Sequence, residues 1–162
     1  MFGLFSKKKN KDIKGFYAIM DGKSIDLSEV DDEMFSNRLL GDGIAIEPAS
    51  NTVVSPCDGE VTLISETKHA VGLKNKDGIE VLIHIGLDTV KLDGVGFEIL
   101  CQAGDKISVG QPLVNVDRSL LKEKNISDST MMVLVETNGH KISNYHTNKV
   151  IESGKSLLLE YE

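Results

Sequence analysis

Two histidines stand in strand-like surroundings near the middle of this 162-residue chain. His69 precedes an apolar run that starts at Ala70, and His84 lies inside an alternating run that ends at Ile85. Histidine is nucleophilic near neutral pH because a neutral imidazole has a free lone pair on one ring nitrogen. If folding brings both rings to one surface, the pair can share a phosphoryl group or help to bind a metal ion.

The alternation around His84 predicts which way its side chain points. Val81 and Ile83 are β-branched residues at spacing two and form the natural core face of a strand. Leu82 and His84 then lie on the opposite face, where the imidazole is expected to reach solvent. That is an uncommon place for a purely structural histidine. The orientation of His69 is not fixed by its local pattern.

A metal site is one alternative for these histidines, and coincidence is another. A zinc site needs a third protein ligand and usually an open position for water. His140 and His146 are candidates, but both lie in a polar stretch over 138–148 that is typical of a loop or hairpin. A zinc hydrolase on a related sandwich is expected to carry a His-x-His pair, which the sequence does not contain. We therefore predict no metal site, although spacing alone leaves each histidine free to be an ordinary core or surface group.

Composition excludes several classes of function. The net charge of −7 argues against a nucleic-acid partner, because neutralising phosphates needs a basic face. Trp is absent and aromatic residues make up 5% of the chain, so stacking platforms for single strands are not expected. The two cysteines, Cys57 and Cys101, have no CxxC spacing, which fits a reduced cytoplasmic compartment. No GxxxxGK[ST] loop is present to bind ATP.

The first residues form a segment of different character. Residues 2–11 place three large apolar side chains ahead of four lysines, the reverse of a secretory signal. Such a segment can rest on an anionic membrane surface or remain a solvated tail. No apolar run approaches the roughly 20 residues that span a bilayer. We predict a flexible tail over 1–14 and a single domain over 15–162.

The rest of the chain predicts an all-β fold, an antiparallel β-sandwich of many short strands with one or two short surface helices. Three segments, 43–47, 60–64 and 79–85, carry β-branched residues at spacing two. A short helix is expected over 119–124, and the pattern over 29–40 is compatible with another. Dipeptides that end in glycine predict tight turns with positive φ at Asp21-Gly22, Asp42-Gly43, Asp58-Gly59, Asp77-Gly78, Asn138-Gly139 and Ser153-Gly154.

Beyond these patterns, the two histidine motifs, Thr67–Ala70 and His84–Val90, carry a resemblance to a known family. The chain resembles the glucose-type enzyme IIA component of the bacterial phosphoenolpyruvate:sugar phosphotransferase system, from about Gly15 to the C-terminus. The N-terminal tail is also similar to the short membrane-seeking segment of that family. Further matching segments are 41–46, 55–59, 94–97 and 104–110.

The resemblance implies a β-sandwich with two histidines facing each other in a shallow depression. His84 matches the phosphorylated nucleophile, and His69 matches the partner that helps to hold the phosphoryl group. Thr67 matches the hydroxyl residue that bonds to His69. The carbonyl of Gly86 is expected to fix the tautomer of His84. Asp88 resembles the acidic residue that meets an arginine of the donor protein.

The same resemblance implies a cytoplasmic phosphotransferase that needs no cofactor. It is expected to accept a phosphoryl group from the phosphohistidine of the small phosphocarrier protein and pass it to the IIB domain of a transporter for glucose-type sugars. The alternative is a regulatory binding module that signals phosphorylation state to transporters and metabolic enzymes. Either role needs an exposed apolar docking surface, for which the candidates are Met34, Phe35, Leu39, Leu40, Leu82 and Val90.

Two departures from the family pattern concern the ends of the domain. The first strand, where the family has Ala-Pro-x-x-Gly, is expected at 18–22, and the proline is missing there. The stretch over 129–149 matches loosely, and His140 and His146 are not expected by the pattern. Neither departure touches His69 or His84.

Overall fold

A computed structural model describes residues 13–162, and strands make up most of its regular structure. Two short α-helices, α1 (Glu33–Ser36) and α2 (Arg118–Glu123), and two 3₁₀ helices, Leu27–Glu29 and Thr89–Leu92, lie between strands. The predicted membrane contact of residues 2–11 lies outside the described residues. The strands are β1 (Gly15–Tyr17), β2 (Gly22–Asp26), β3 (Asp42–Pro48), β4 (Thr52–Val54), β5 (Gly59–Ile64), β6 (Ala70–Asn75), β7 (Glu80–Ile85), β8 (Phe97–Ile99), β9 (Lys106–Ile107), β10 (Pro112–Val116), β11 (Thr130–Glu136), β12 (Ile142–Tyr145), β13 (Val150–Ile151) and β14 (Leu157–Tyr161).

These strands form three antiparallel sheets, which confirms the predicted all-β fold. The largest sheet has eight strands in the order β13-β2-β3-β11-β7-β6-β5-β9. Two three-stranded sheets have the orders β1-β14-β12 and β4-β10-β8. The strand that carries His84, β7, lies inside the large sheet between β11 and β6, so its backbone is paired on both sides. Among residues 13–162, no helix has the length and apolar character needed to cross a bilayer.

The large sheet has apolar residues on both faces, and the strand period decides which face each residue serves. Its inner face lies in the main core with residues from the two smaller sheets, and Ile83 of β7 and Met132 of β11 are fully buried there. Its outer face carries a second, smaller cluster. That cluster is covered by the chain between β2 and β3 and contains Ile25, Leu27, Val30, Phe35, Ala45, Met131 and Val133.

The strand expected at 18–22 is not formed. Residues 18–20 are fully buried but lie between β1 and β2, outside both strands. Their main-chain groups bond to separate partners, because the amide of Ala18 donates to the carbonyl of Ser156 and the carbonyl of Ile19 accepts from Val54. A strand needs one continuous neighbour, and this stretch instead joins two parts of the sandwich.

The helical pattern over 29–40 forms two separate short turns. Asp26 caps the first, the 3₁₀ helix Leu27–Glu29, and Asp32 caps α1 through a bond from the amide of Met34 at 2.9 Å. Between them Val30 has extended backbone with ψ 132°, so the helix cannot continue. The other predicted helix is confirmed as α2, one residue earlier than expected.

Four of the six predicted turn glycines have positive φ, whereas Gly43 and Gly59 do not. These two lie within β3 and β5, where the backbone passes close to a neighbouring strand. A Cβ at Gly43 would overlap the carbonyl oxygen of Met132 in β11, and one at Gly59 would overlap that of Lys74 in β6. Glycine at these positions permits close strand pairing rather than a reversal.

Candidate functional site

Strands β6 and β7 bring the two histidines together. Ala70, the first residue of β6, pairs with His84 in β7, and the amide of Ile85 donates to the carbonyl of His69 at 2.8 Å. The centroids of the His69 and His84 rings are 4.8 Å apart, and the ring planes meet at 78°. Both rings are half-buried. A single small group can therefore contact both imidazoles from the outer face of the sheet.

The turn after β7 fixes the tautomer of His84. Its Nδ1 lies 3.0 Å from the carbonyl oxygen of Gly86, which can only accept a hydrogen bond. Nδ1 therefore carries the proton of the neutral ring, and Nε2 keeps its lone pair. Gly86 has φ +76°, and a Cβ there would clash with the methyl group of Thr89. Thr89 in turn donates its hydroxyl to the carbonyl of Ile85 at 2.6 Å, which closes the turn.

The chain before β6 holds His69 in a similar way. The Thr67 hydroxyl oxygen lies 2.7 Å from Nδ1 of His69. Lys68, between them, has positive φ (64°) and donates its amide to the carbonyl of Ser65 at 2.9 Å. This turn places the threonine beside the imidazole two residues later. The contact leaves Nε2 of His69 as the ring nitrogen available to a ligand.

Burial keeps His84 neutral at physiological pH. Desolvation is the largest cause that lowers the pKa of His84 to about 4, and the charge of a protonated His69 contributes in the same direction. The hydrogen bond to Gly86 and the carboxylate of Asp32 oppose this shift without cancelling it. The pKa of His69 is also lowered, mainly by burial. At neutral pH both rings are therefore uncharged, as a nucleophilic imidazole requires.

We expect the free energy of unfolding to decrease as the pH falls from about 6.5 to about 4. In this interval the unfolded chain takes up a proton at His84 that the folded protein does not, so protonation favours unfolding. The difference between the ordinary pKa of 6.5 and the folded value of about 4 corresponds to about 3 kcal/mol. Urea unfolding of the wild type and of His84→Gln across this pH range isolates the contribution. Parallel curves for the two proteins would contradict a neutral, buried His84.

A depression of about 220 Å³ surrounds the histidines. Larger clefts, of about 480 and 500 Å³, lie beside Arg118 and Asn115, and neither is lined by a histidine. Asp88 lies at the rim of the depression with left-handed backbone and a side chain that is 69% exposed. The apolar side chains of Met34, Leu40 and Val90 line it as well, and Val90 is 54% exposed.

Three of the residues predicted for docking differ from Met34, Leu40 and Val90 in exposure or in place. Phe35 lines the depression, but it is only 4% exposed, and its ring packs on His84 with centroids 4.9 Å apart. The predicted exposure of Phe35 is therefore wrong, because its side chain belongs to the outer-face cluster of the sheet. Leu39 is 66% exposed but does not line the depression. Leu82 is half-buried on the same strand face as His84, also outside the lining.

Two further residues line the depression, Asp32 and Thr89, and neither is among the predicted site residues. Asp32 faces the site because it caps α1, which starts beside the histidines. An aspartate shortly before an apolar pair is a recognisable helix N-cap, so the sequence does indicate a helix start at Asp32. No local pattern indicates Thr89, because its position depends on the turn that brings it back against the end of β7.

The other two histidines contact different groups. His140 packs edge-on against Tyr161, with ring centroids 5.3 Å apart. His146 follows β12, and its Nε2 lies 2.8 Å from a carboxylate oxygen of Glu160 in β14. Within residues 13–162, no group of three or more His, Cys, Asp or Glu side chains is arranged to hold a metal ion.

A family model described as phosphoenolpyruvate-dependent sugar phosphotransferase system, EIIA 1, matches residues 14–140. The chain belongs to this family. The resemblance found in the sequence is thereby confirmed, and the paired histidines belong to an EIIA fold.

Individual relatives agree with this assignment. The glucose-specific EIIA component of Staphylococcus epidermidis is 40% identical over 149 residues, which cover 91% of this chain and 88% of that protein. The solved structure of glucose permease IIA from Mycoplasma capricolum is 37% identical with a TM-score of 0.82, covering 90% of this chain and 94% of that one.

Other relatives are much longer. The glucoside-specific EIICBA component of Staphylococcus carnosus is 51% identical over 143 residues, which are 88% of this chain. This chain spans only 20% of that protein and 21% of the glucose-specific EIICBA component of the same organism. The EIIA fold therefore occurs both as a short protein and as part of a longer one.

Proposed function

We propose that this protein is a phosphocarrier of the sugar phosphotransferase system, with His84 as the residue that carries the phosphoryl group. The observation that supports this most directly is the hydrogen bond from Nδ1 of His84 to Gly86, which leaves Nε2 unprotonated beside His69. A neutral imidazole with a fixed tautomer is a ready nucleophile, and its low pKa keeps it so.

The donor is the phosphohistidine of the small phosphocarrier protein. In the transfer, the lone pair on Nε2 of His84 forms a bond to phosphorus as the donor's P–N bond breaks. The electron pair of the broken bond returns to the donor imidazole, and the proton on Nδ1 of His84 stays in its bond to Gly86. No net proton transfer is needed, and the transition state places its charge on three equatorial phosphoryl oxygens.

His69 stabilises those oxygens. A hydroxyl can donate to or accept from an imidazole nitrogen. When Thr67 donates to Nδ1 of His69, the ring carries its proton on Nε2 and can donate it to a phosphoryl oxygen. Because imidazole groups at both ends of the transfer need no nucleotide, we propose that no metal or organic cofactor is required.

Docking uses the rim of the depression. Met34, Leu40 and Val90 provide exposed apolar contacts, and Asp88 presents a carboxylate to a cationic group such as an arginine of the donor. The acceptor is the IIB domain of a transporter for glucose-type sugars. The EIICBA names of the longer relatives support a transporter partner, since the segment similar to this chain belongs there to a larger EII component. No observation on the described residues favours the purely regulatory alternative.

The test of this function is phosphoryl transfer in a defined system. The protein is incubated with phosphoenolpyruvate, enzyme I and the phosphocarrier protein, and its intact mass is measured. We expect a gain of one phosphoryl group that acid removes, and no gain when the phosphocarrier protein is left out. Transfer from the purified phosphorylated donor is expected to have the same rate with and without a metal chelator. An unchanged mass in the complete system contradicts the proposal.

We further propose that the protein works in the cytoplasm and that residues 2–11 hold it transiently at the inner face of the membrane. The apolar side chains of this segment can enter the lipid while its lysines meet anionic headgroups. Co-sedimentation with anionic vesicles is expected to be stronger for the intact chain than for a chain that starts at Asp12. Equal sedimentation of the two chains refutes membrane contact through this segment.

A further inference from the structure

The chain between β2 and β3, residues 27–41, covers the outer face of the large sheet beside His84. We refer to it as the covering segment. Leu27, Val30 and Phe35 are its buried side chains, and they pack on residues of β3 and β11. Phe35 also contacts the ring of His84. The exposure of the nucleophile to water therefore depends on where this segment lies.

Regular structure alone does not hold the covering segment in place. Its only α-helix, α1, has four residues, fewer than a helix needs to be stable by itself. After α1 the chain turns back through Arg38, which has φ +56°. A non-glycine residue in this conformation is strained and persists only where its surroundings hold it. The contacts of Arg38 therefore matter for the placement of the segment.

The Arg38 guanidinium contacts the two strand residues that flank the covering segment. Its Nε donates to Oδ1 of Asp42, the first residue of β3, at 2.8 Å. Its Nη2 lies 3.4 Å from Oδ1 of Asp26, the last residue of β2. Asp26 also accepts from the amide of Ser28 at 3.0 Å and so caps the first turn of the segment. One cation thus joins the point where the segment leaves the sheet to the point where it returns.

A residue from a different sheet completes this network. Tyr145, at the end of β12, donates its hydroxyl to Oδ2 of Asp42, which lies 103 positions earlier in the chain. Burial and the neighbouring carboxylate raise the pKa of Tyr145 to about 12, so the phenol remains a donor at neutral pH. Arg38 and Asp42 are each about one-third exposed, so solvent screens their contacts only in part.

We propose that Arg38 is a positioning residue for phosphoryl transfer. Its guanidinium joins Asp26 to Asp42, and Tyr145 holds Asp42 in place. The covering segment is thereby fixed, so that Phe35 stays packed against His84. This inference rests on the proposed function. Without the guanidinium, the carboxylates of Asp26 and Asp42 at the two ends of the segment have no cation between them. The segment then packs less tightly on the sheet, and water reaches the imidazole more often from the side that Phe35 now covers.

The test replaces Arg38 by glutamine, which removes the cation and keeps a side chain of similar length. Transfer from the phosphorylated donor to Arg38→Gln is expected to reach full phosphorylation but to be roughly tenfold slower, because the nucleophile is less well oriented. The NMR titration midpoint of His84 is expected to rise toward its ordinary value. Amide hydrogen exchange should become faster in residues 27–41 and stay unchanged in β6 and β11.

Tyr145→Phe is the second variant, since it removes one hydroxyl and keeps the ring. We expect changes in the same direction but smaller, and this variant decides the question if Arg38→Gln does not fold. The charge-matched control is Lys155→Gln, which breaks the exposed pair of Lys155 with Glu152 and should behave as the wild type.

Two outcomes are distinct. A wild-type transfer rate and His84 midpoint in folded Arg38→Gln would overturn the positioning role. Failure of the wild type to accept any phosphoryl group would overturn the proposed function. The titration and the hydrogen exchange would then still show whether Arg38 holds the covering segment.

Discussion

His84→Gln is expected to abolish phosphoryl acceptance. Glutamine is close to histidine in size, and its amide can still donate to the carbonyl of Gly86 in place of Nδ1. It has no ring nitrogen with a free lone pair, so no bond to phosphorus forms. We expect no gain of mass after prolonged incubation with phosphoenolpyruvate, enzyme I and the phosphocarrier protein, which corresponds to a loss of more than about 10³-fold in rate.

The matched control for this substitution is His140→Gln. His140 is half-buried and packs on Tyr161, away from the depression described above. This variant is expected to be phosphorylated at the wild-type rate, and circular dichroism should show that both variants are folded. A folded His84→Gln protein that gains an acid-labile phosphoryl group would identify another residue as the nucleophile.

His69→Gln is expected to impair onward transfer of the phosphoryl group more than its acceptance. His84 keeps its bond to Gly86 and its free Nε2, so the variant should still accept a phosphoryl group. Glutamine keeps an amide N–H, but it loses the contact of Thr67 with Nδ1 that orients the donor of His69. Transfer onward to the IIB domain should therefore fall by about 10² to 10³, the usual effect of losing one well-placed donor to the charged oxygens of a transition state. The pKa of His84 is also expected to rise, since the charge of a protonated His69 is one of the causes that lower it.

Single-turnover experiments distinguish these steps. Phosphorylated wild type and phosphorylated His69→Gln are purified and mixed with the IIB domain, and the loss of phosphohistidine is followed with time. Thr67→Val provides a graded comparison, because it removes the hydroxyl at 2.7 Å from Nδ1 and leaves the imidazole in place. Wild-type onward transfer by His69→Gln would refute its role in stabilising the phosphoryl group.

The sequence predicted those parts of the fold that depend on local periodicity. The alternation in β7 placed Val81 and Ile83 inside and His84 outside, and all three predictions agree with the burial of the strand. The pattern is reliable here because the strand is paired on both sides and one of its faces is in the main core. The motifs around His69 and His84 identified the family, as the comparisons confirm.

The errors concern residues whose position depends on distant parts of the chain. Phe35 was expected on the surface because a Met-Phe pair in a polar segment has the same pattern whether it is exposed or folded back on a sheet. Gly43 lies in a dipeptide typical of turns, but the closeness of β11 requires glycine there. No local pattern connects Tyr145 with Asp42, because the contact forms only after the sheets have packed.

The depression around His84 is open to solvent on one side, which limits the expected lifetime of a phosphorylated form of the protein. If His84 carries the phosphoryl group as proposed, water can reach the phosphorus atom on this half-buried imidazole, and we expect the P–N bond to hydrolyse slowly when no acceptor protein is present. Spontaneous dephosphorylation would then set an upper limit on the time between acceptance of the group and its transfer. On this proposal the protein is suited to prompt transfer rather than to storage of the group.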